Sequence, residues 1–239
     1  TFNIGSGIDF NATRFTVENG TLAGSNNNIN VDNFVEGGGD VNLTGGTFTY
    51  LGGSYFNTGN TADWDFYNLV FGDGVSVQSP YTQGTANIDV ANQMVITTNT
   101  NFSPQSGYSK VFNLNSAGTP LVVNGTITPA DTTFNYNGAG ATTVVATNYF
   151  NLGIKPGLNG ATHTIGTTGG QALVVGGTLT IGNGTNTGVI VNASTYNPTI
   201  DVNGTGTAVD IKANTTFQAP VNTFTVAGNW INAGTFTSN

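Results

Sequence analysis

The sequence predicts an all-β chain wound as a parallel β-solenoid, a β-helix. Short runs of alternating apolar and polar residues, each about 3–6 long, recur from one end to the other. The runs stop at Asn-Gly, Gly-Gly, Asp-Gly or Gly-Asn pairs, where Asn and Gly reach positive φ at little cost. Matched blocks then return in the same order along the chain, as a stacked repeat requires. Against these signals, no apolar pattern at i, i+3, i+4, i+7 is sustained, and strong helix formers are scarce.

In chain order the strand-like stretches include Phe15-Thr-Val17, Val41-Asn-Leu43, Thr47-Phe-Thr-Tyr50, Leu69-Val-Phe71, Val95-Ile-Thr97, Leu173-Val-Val175, Thr178-Leu-Thr-Ile181 and Ile200-Asp-Val202. Their β-branched and aromatic residues suit a pleated, half-buried surface.

The repeats are specific. Thr47-Phe-Thr-Tyr50 returns as Thr133-Phe-Asn-Tyr136, and Phe66-Tyr-Asn-Leu69-Val-Phe71 as Tyr149-Phe-Asn-Leu152-Gly-Ile154. The block from Ile88 to Ile96 matches that from Leu173 to Ile181, and Phe112-Asn-Leu-Asn115 matches Ile200-Asp-Val-Asn203. From Thr47 to Thr133 is 86 residues, and from Thr133 to Thr235 is 102. The chain therefore reads as a partial repeat over 1–46, one repeat over 47–132, a second over 133–234, and at 235–239 the start of a further unit or a polymerisation end. With about 20–25 residues per coil, each repeat holds several coils of one continuous solenoid. Tandem β-sandwiches of about 90–100 residues each are the alternative. The solenoid is favoured because no composition break or Pro-rich linker separates the repeats. It also gives the abundant Asn a role, stacking at corners and bonding along the axis.

Composition narrows the function. The chain has 239 residues, of which 7% are charged and 35 are Gly, with 15 Phe, 8 Tyr and 2 Trp. That aromatic content argues against disorder, despite the Gly-rich polar background. Four Lys plus Arg cannot neutralise a phosphate backbone, so nucleic acid is not an expected partner. Zero Cys and one His exclude a zinc finger, a disulfide scaffold and a thiol enzyme. No apolar run approaches the roughly 18 residues of a membrane helix, so membrane insertion is not expected. Residues 1–90 carry nine acids and Arg14, a net −8, whereas residues 91–239 carry three acids and three Lys, a net 0. The reading is of a secreted or cell-surface protein, bacterial in character, whose polar half is Asn, Thr and Ser.

Three features resemble the Gly/Asn/Thr-rich strand repeats of large secreted bacterial surface proteins, of the adhesin and filamentous-haemagglutinin-like kind. They are Gly-Asn-Trp-Ile-Asn-Ala-Gly-Thr-Phe-Thr at 228–237, the paired aromatics before Asn-Leu at 66–69 and 149–152, and Val-Gly-Gly-Thr-Leu-Thr-Ile-Gly at 175–182. The resemblance spans most of 15–239. It implies an extracellular, non-enzymatic β-scaffold for adhesion, matrix or filament formation, and it brings no catalytic residues.

Few residues suggest chemistry. His163 has no acid near it in sequence and reads as a surface or packing side chain, not a general base. Asp63 and Asp65 flank Trp64 and share one face of a strand. With Asp73 they offer hard oxygen ligands for Ca²⁺, the one cofactor the sequence suggests. Trp64, flanked by two acids, reads as an exposed aromatic able to stack on a glycan. The four cations, at 14, 110, 155 and 212, are scattered and outline no catalytic groove.

The remaining expectation concerns assembly. The chain begins with Thr1-Phe-Asn-Ile and stops just after Thr235-Phe-Thr, the same phase of the repeat. Residues 224–239 are expected to pair with residues 1–17 of a second copy, head to tail. Thr1, Phe2, Phe224, Val226, Trp230 and Phe236 are the contact residues. Partners are then the chain itself, other surface proteins, or glycans.

Overall fold

A computed structural model describes residues 1–52 and 54–239. Among the described residues there is no helix, and 53% of the chain is strand, wound as a parallel β-solenoid. The tandem-sandwich alternative is thereby excluded: sandwiches are built from antiparallel strands, and the strand pairings here are parallel. A parallel partner cannot be reached through a tight hairpin. The chain instead turns a corner after each short strand and returns to pair one coil later.

Two compact units make up the chain. The first comprises Thr1–Asn113 with Leu121–Thr132, the second Leu114–Pro120 with Thr133–Asn239.

In the first unit, inward side chains stack coil upon coil in register. Phe2 pairs with Leu22, Leu22 with Val41, Val41 with Trp64, and Trp64 with Ile88. A second column runs Phe10, Ile29, Phe48, Leu69, Met94, Leu121. A third runs Phe15, Val35, Phe56, Thr82. Phe48, Phe56, Trp64, Phe66 and Phe71 are buried and meet edge-on or tilted, with ring centroids 5.1–6.2 Å apart. That is the arrangement the aromatic quadrupole favours. Each such side chain contributes about 1.5–3 kcal/mol by leaving water.

The second unit repeats this register. Phe134 pairs with Leu152 and Tyr136 with Ile154, just as Phe48 pairs with Leu69 and Tyr50 with Phe71. The column continues through Leu179, Val209 and Trp230. Another ladder carries Thr142, His163, Val191, Phe217 and Phe236 inward, and a third carries Tyr149, Val175, Val202 and Val226. Inside, the Tyr136 and Tyr149 hydroxyls lie 2.8 Å apart. Between them they serve the Val145 amide, which donates to Tyr136 at 3.3 Å, and the Val145 carbonyl, which accepts from Tyr149 at 2.9 Å.

Corners follow from Gly and Asn. Asn26, Asn99, Asn197 and Asn214 take positive φ. Gly46 sits at φ +75°, where a Cβ would stand 2.1 Å from the Asn27 carbonyl oxygen of the coil before. Only glycine allows both the turn and that approach. Outward Asn side chains bond coil to coil: Asn30 to Asn11 at 2.8 Å, Asn92 to Asn68 at 2.7 Å and Asn137 to Asn115 at 3.3 Å.

Candidate functional site

Coil stacking buries inward side chains everywhere except where a coil has a neighbour on one side only. Among the described residues, Phe224–Val226, Asn229–Asn232 and Thr235–Thr237 each pair along a single edge, with Thr199–Val202, Thr207–Ile211 and Thr215–Gln218 respectively. Their inward-column rings therefore reach the surface. Phe224, Trp230 and Phe236 form a cluster with centroids 5.1–5.5 Å apart, and Phe217 lies beneath it. Trp230 and Phe236 are each 38% exposed. Val226 is half-buried beside them.

The first coil has the same character. Phe2 is 68% exposed on Phe2–Ser6, a strand whose partner among the described residues is Thr21–Ser25. Thr1 is exposed just ahead of it. The predicted assembly residues thus lie on these two coils. Both coils combine one-sided backbone pairing with exposed apolar side chains, the features that recruit another strand.

Trp64 is placed otherwise than expected. It is fully buried, its ring among Phe15, Phe56 and Phe66, and its indole N–H donates to the Gly39 carbonyl at 2.9 Å. The reason is the alternation that puts Asp63 and Asp65 on one face: the residue between them must point the opposite way, into the core. It offers no surface for a glycan.

Asp63, Asp65 and Asp73 do not converge. Among the described residues no group of three acidic or imidazole side chains is placed to hold a metal ion. Asp63 accepts from the Asn87 backbone amide at 2.9 Å and its side-chain amide at 3.2 Å. Asp73 caps its own turn, accepting from the Val75 and Ser76 amides at 2.8 Å, which hold its carboxyl below the usual range. Asp65 pairs in register with Asp89 and Asn42. Partial burial raises its pKa, helped by Asp89, Asp40 and Asp63.

Two titratable side chains lie inside. His163 is buried, with Nε2 3.1 Å from the Gly138 carbonyl, and burial pulls its pKa down to about 4. It packs, in line with its sequence reading. Lys110 is also buried, its Nζ donating to the Ala86 carbonyl at 2.6 Å and to Thr58 Oγ1. Burial lowers its pKa to about 7, against the opposing pull of Asp63. Nothing in the sequence around Lys110 signals burial.

Sequence reasoning also missed an outward aromatic column. Phe34, Tyr55 and Tyr81 occupy successive coils of the first unit, with centroids 5.2 and 6.4 Å apart. At the Phe34 end the polar groups are already paired. Arg14 stacks on Phe34 and bonds Glu36, and the Glu36 carboxylate also accepts from the Tyr55 hydroxyl. At the Tyr81 end the chain forms a groove of about 610 Å³. Comparison with protein families, with curated proteins and with solved structures finds no match to this chain.

Proposed function

We propose that this chain is a structural, non-catalytic β-scaffold of an extracellular, bacterial-type surface, and that it builds a filament or stalk by parallel strand pairing between copies at their terminal coils. The observation that supports this best is the coil at 224–237, with three strands paired along one edge, the Trp230 and Phe236 rings exposed above it and Phe224 half-buried beside them. Residues 1–17 of a second copy carry matching elements: Phe2–Ser6 and Phe10–Val17, with Phe2 and Phe10 on inward columns. Joining the two coils satisfies both sets of open backbone groups and buries both sets of rings, the two contributions that make strand addition favourable. The adhesin-like composition fits the same reading.

The test is electron microscopy and sedimentation of the purified 1–239 chain at physiological salt, beside Trp230→Asp/Phe236→Asp and a chain lacking 234–239. End-to-end particles that lengthen with concentration are expected for the unaltered chain. Single particles are expected for both variants, with an unchanged β-sheet circular dichroism spectrum. Single particles at every concentration of the unaltered chain, or association that survives both changes, would overturn the proposal.

A further inference from the structure

We infer that the groove at Tyr81 in the first unit is a binding site for a neutral glycan strand. It goes beyond the assembly reading and uses a different surface.

The groove is lined by the Tyr81 ring and Pro104 together with the amides of Gln83, Asn101 and Gln105 and the hydroxyl of Ser103. No Asp, Glu, Lys or Arg lines it. The backbone of its floor is already paired, with Ser103 N donating to the Pro80 carbonyl at 3.0 Å and Gln105 N to the Thr82 carbonyl at 3.1 Å. The side-chain amides are therefore not needed to satisfy the main chain. They are only partly used by one another: Gln83 Nε2 donates to Gln105 Oε1 at 2.5 Å, and Asn101 Oδ1 accepts from Thr126 and Thr128 at 3.1 and 2.9 Å. Gln83 Oε1, Gln105 Nε2 and Asn101 Nδ2 have no protein partner among the described residues. The groove thus offers one amide acceptor and two amide donors beside an aromatic face.

That combination selects the ligand class. Sugar hydroxyls both donate and accept, so amides and hydroxyls match them, while the C–H face of a pyranose is apolar and packs on a ring. An anionic ligand would find no cation here, and the nearest carboxylate, Asp131, already accepts from the Ser106 hydroxyl at 2.8 Å and the Gly107 amide at 2.7 Å. The Tyr55 ring lies on the adjacent coil, its centroid 6.4 Å from that of Tyr81. A glycan crossing the strands meets Tyr81 first and then Tyr55. The Arg14–Glu36–Tyr55 network closes the far end of this track, because its polar groups are spent on each other.

The experiment is isothermal titration of the 1–239 chain with neutral hexasaccharides of the glucan, mannan, xylan and N-acetylglucosamine types. It is done in parallel on Trp230→Asp, so that loss of assembly cannot remove the readout. At least one hexasaccharide is expected to bind in the micromolar to millimolar range. Tyr81→Ala should weaken that binding by about tenfold or more. Gln105→Ala, an exposed change with no cost to the fold, should weaken it by a smaller factor, and Tyr67→Ala on another strand should leave it unchanged. Absence of binding to all four types up to millimolar concentration overturns the inference. So does binding that is indifferent to both Tyr81→Ala and Gln105→Ala.

Discussion

The indole N–H of Trp64 donates to the Gly39 carbonyl at 2.9 Å, and the edge of the same ring fills the space above Gly37. A Cβ on Gly37 would stand 2.2 Å from Trp64 Cζ2. The largest side chain in the core is therefore accommodated by a glycine on the coil before it. Gly37→Ala should lower stability by about 1–3 kcal/mol, the usual range for overpacking. Pairing it with Trp64→Phe should recover part of that loss, because the smaller ring leaves the space open. Urea midpoints of the single and double variants check this; equal losses in both would mean that the contact is not the cause.

Lys110 makes stability depend on pH above neutrality. In the unfolded chain its amine keeps its proton up to its ordinary value of 10.5, whereas the folded amine releases it above about 7. Between those values the unfolded state binds more protons, so stability rises with pH by up to about 1.4 kcal/mol per pH unit. Below about 7 both states are charged and the penalty is constant. Above about 10 the buried Tyr50, Tyr136 and Tyr149 act in the opposite sense, since their raised pKa values favour ionisation of the unfolded chain. Lys110→Met should flatten the rise between pH 7 and 9.5. It should also stabilise the fold at pH 7, because Thr58 Oγ1 still donates to the Ala86 carbonyl at 3.2 Å. Thermal unfolding against pH decides it; an unchanged slope in the variant refutes the assignment.

His163 acts on the acid side. Its folded pKa of about 4 lies below the ordinary 6.5, so the unfolded state takes up a proton first as pH falls. Its contribution to stability is full above pH 6.5, is lost between 6.5 and about 4, and is constant below that. His163→Gln should cost about 1 kcal/mol at pH 7 through its altered bond to Gly138. It should narrow the gap between the stabilities at pH 7 and pH 4.5. The comparison with the unaltered chain cancels the carboxylates common to both, and a gap of the same size would assign the acid sensitivity elsewhere.

Much of the fold was legible because its signals are local. The alternation in Thr47-Phe-Thr-Tyr50 and the turns at Asn-Gly and Gly-Gly depend on neighbours in sequence, and the return of that motif at Thr133 marks a structural equivalence: both strands meet their partners in the same register. Trp64 was misplaced although the information was present, since alternation with Asp63 and Asp65 already assigns it to the opposite face.

What the sequence by itself determined is the all-β, parallel-solenoid class and the strand and turn alphabet. The exclusion of the sandwich alternative, the burial of Lys110, and the alignment of Phe34, Tyr55 and Tyr81 on one outer face were decided only by the tertiary structure. These three aromatics lie 21 and 26 residues apart, so no constant period betrays them. Their meeting depends on how many residues each corner spends between coils. Corner length sets the register between coils, and register places side chains from distant stretches side by side.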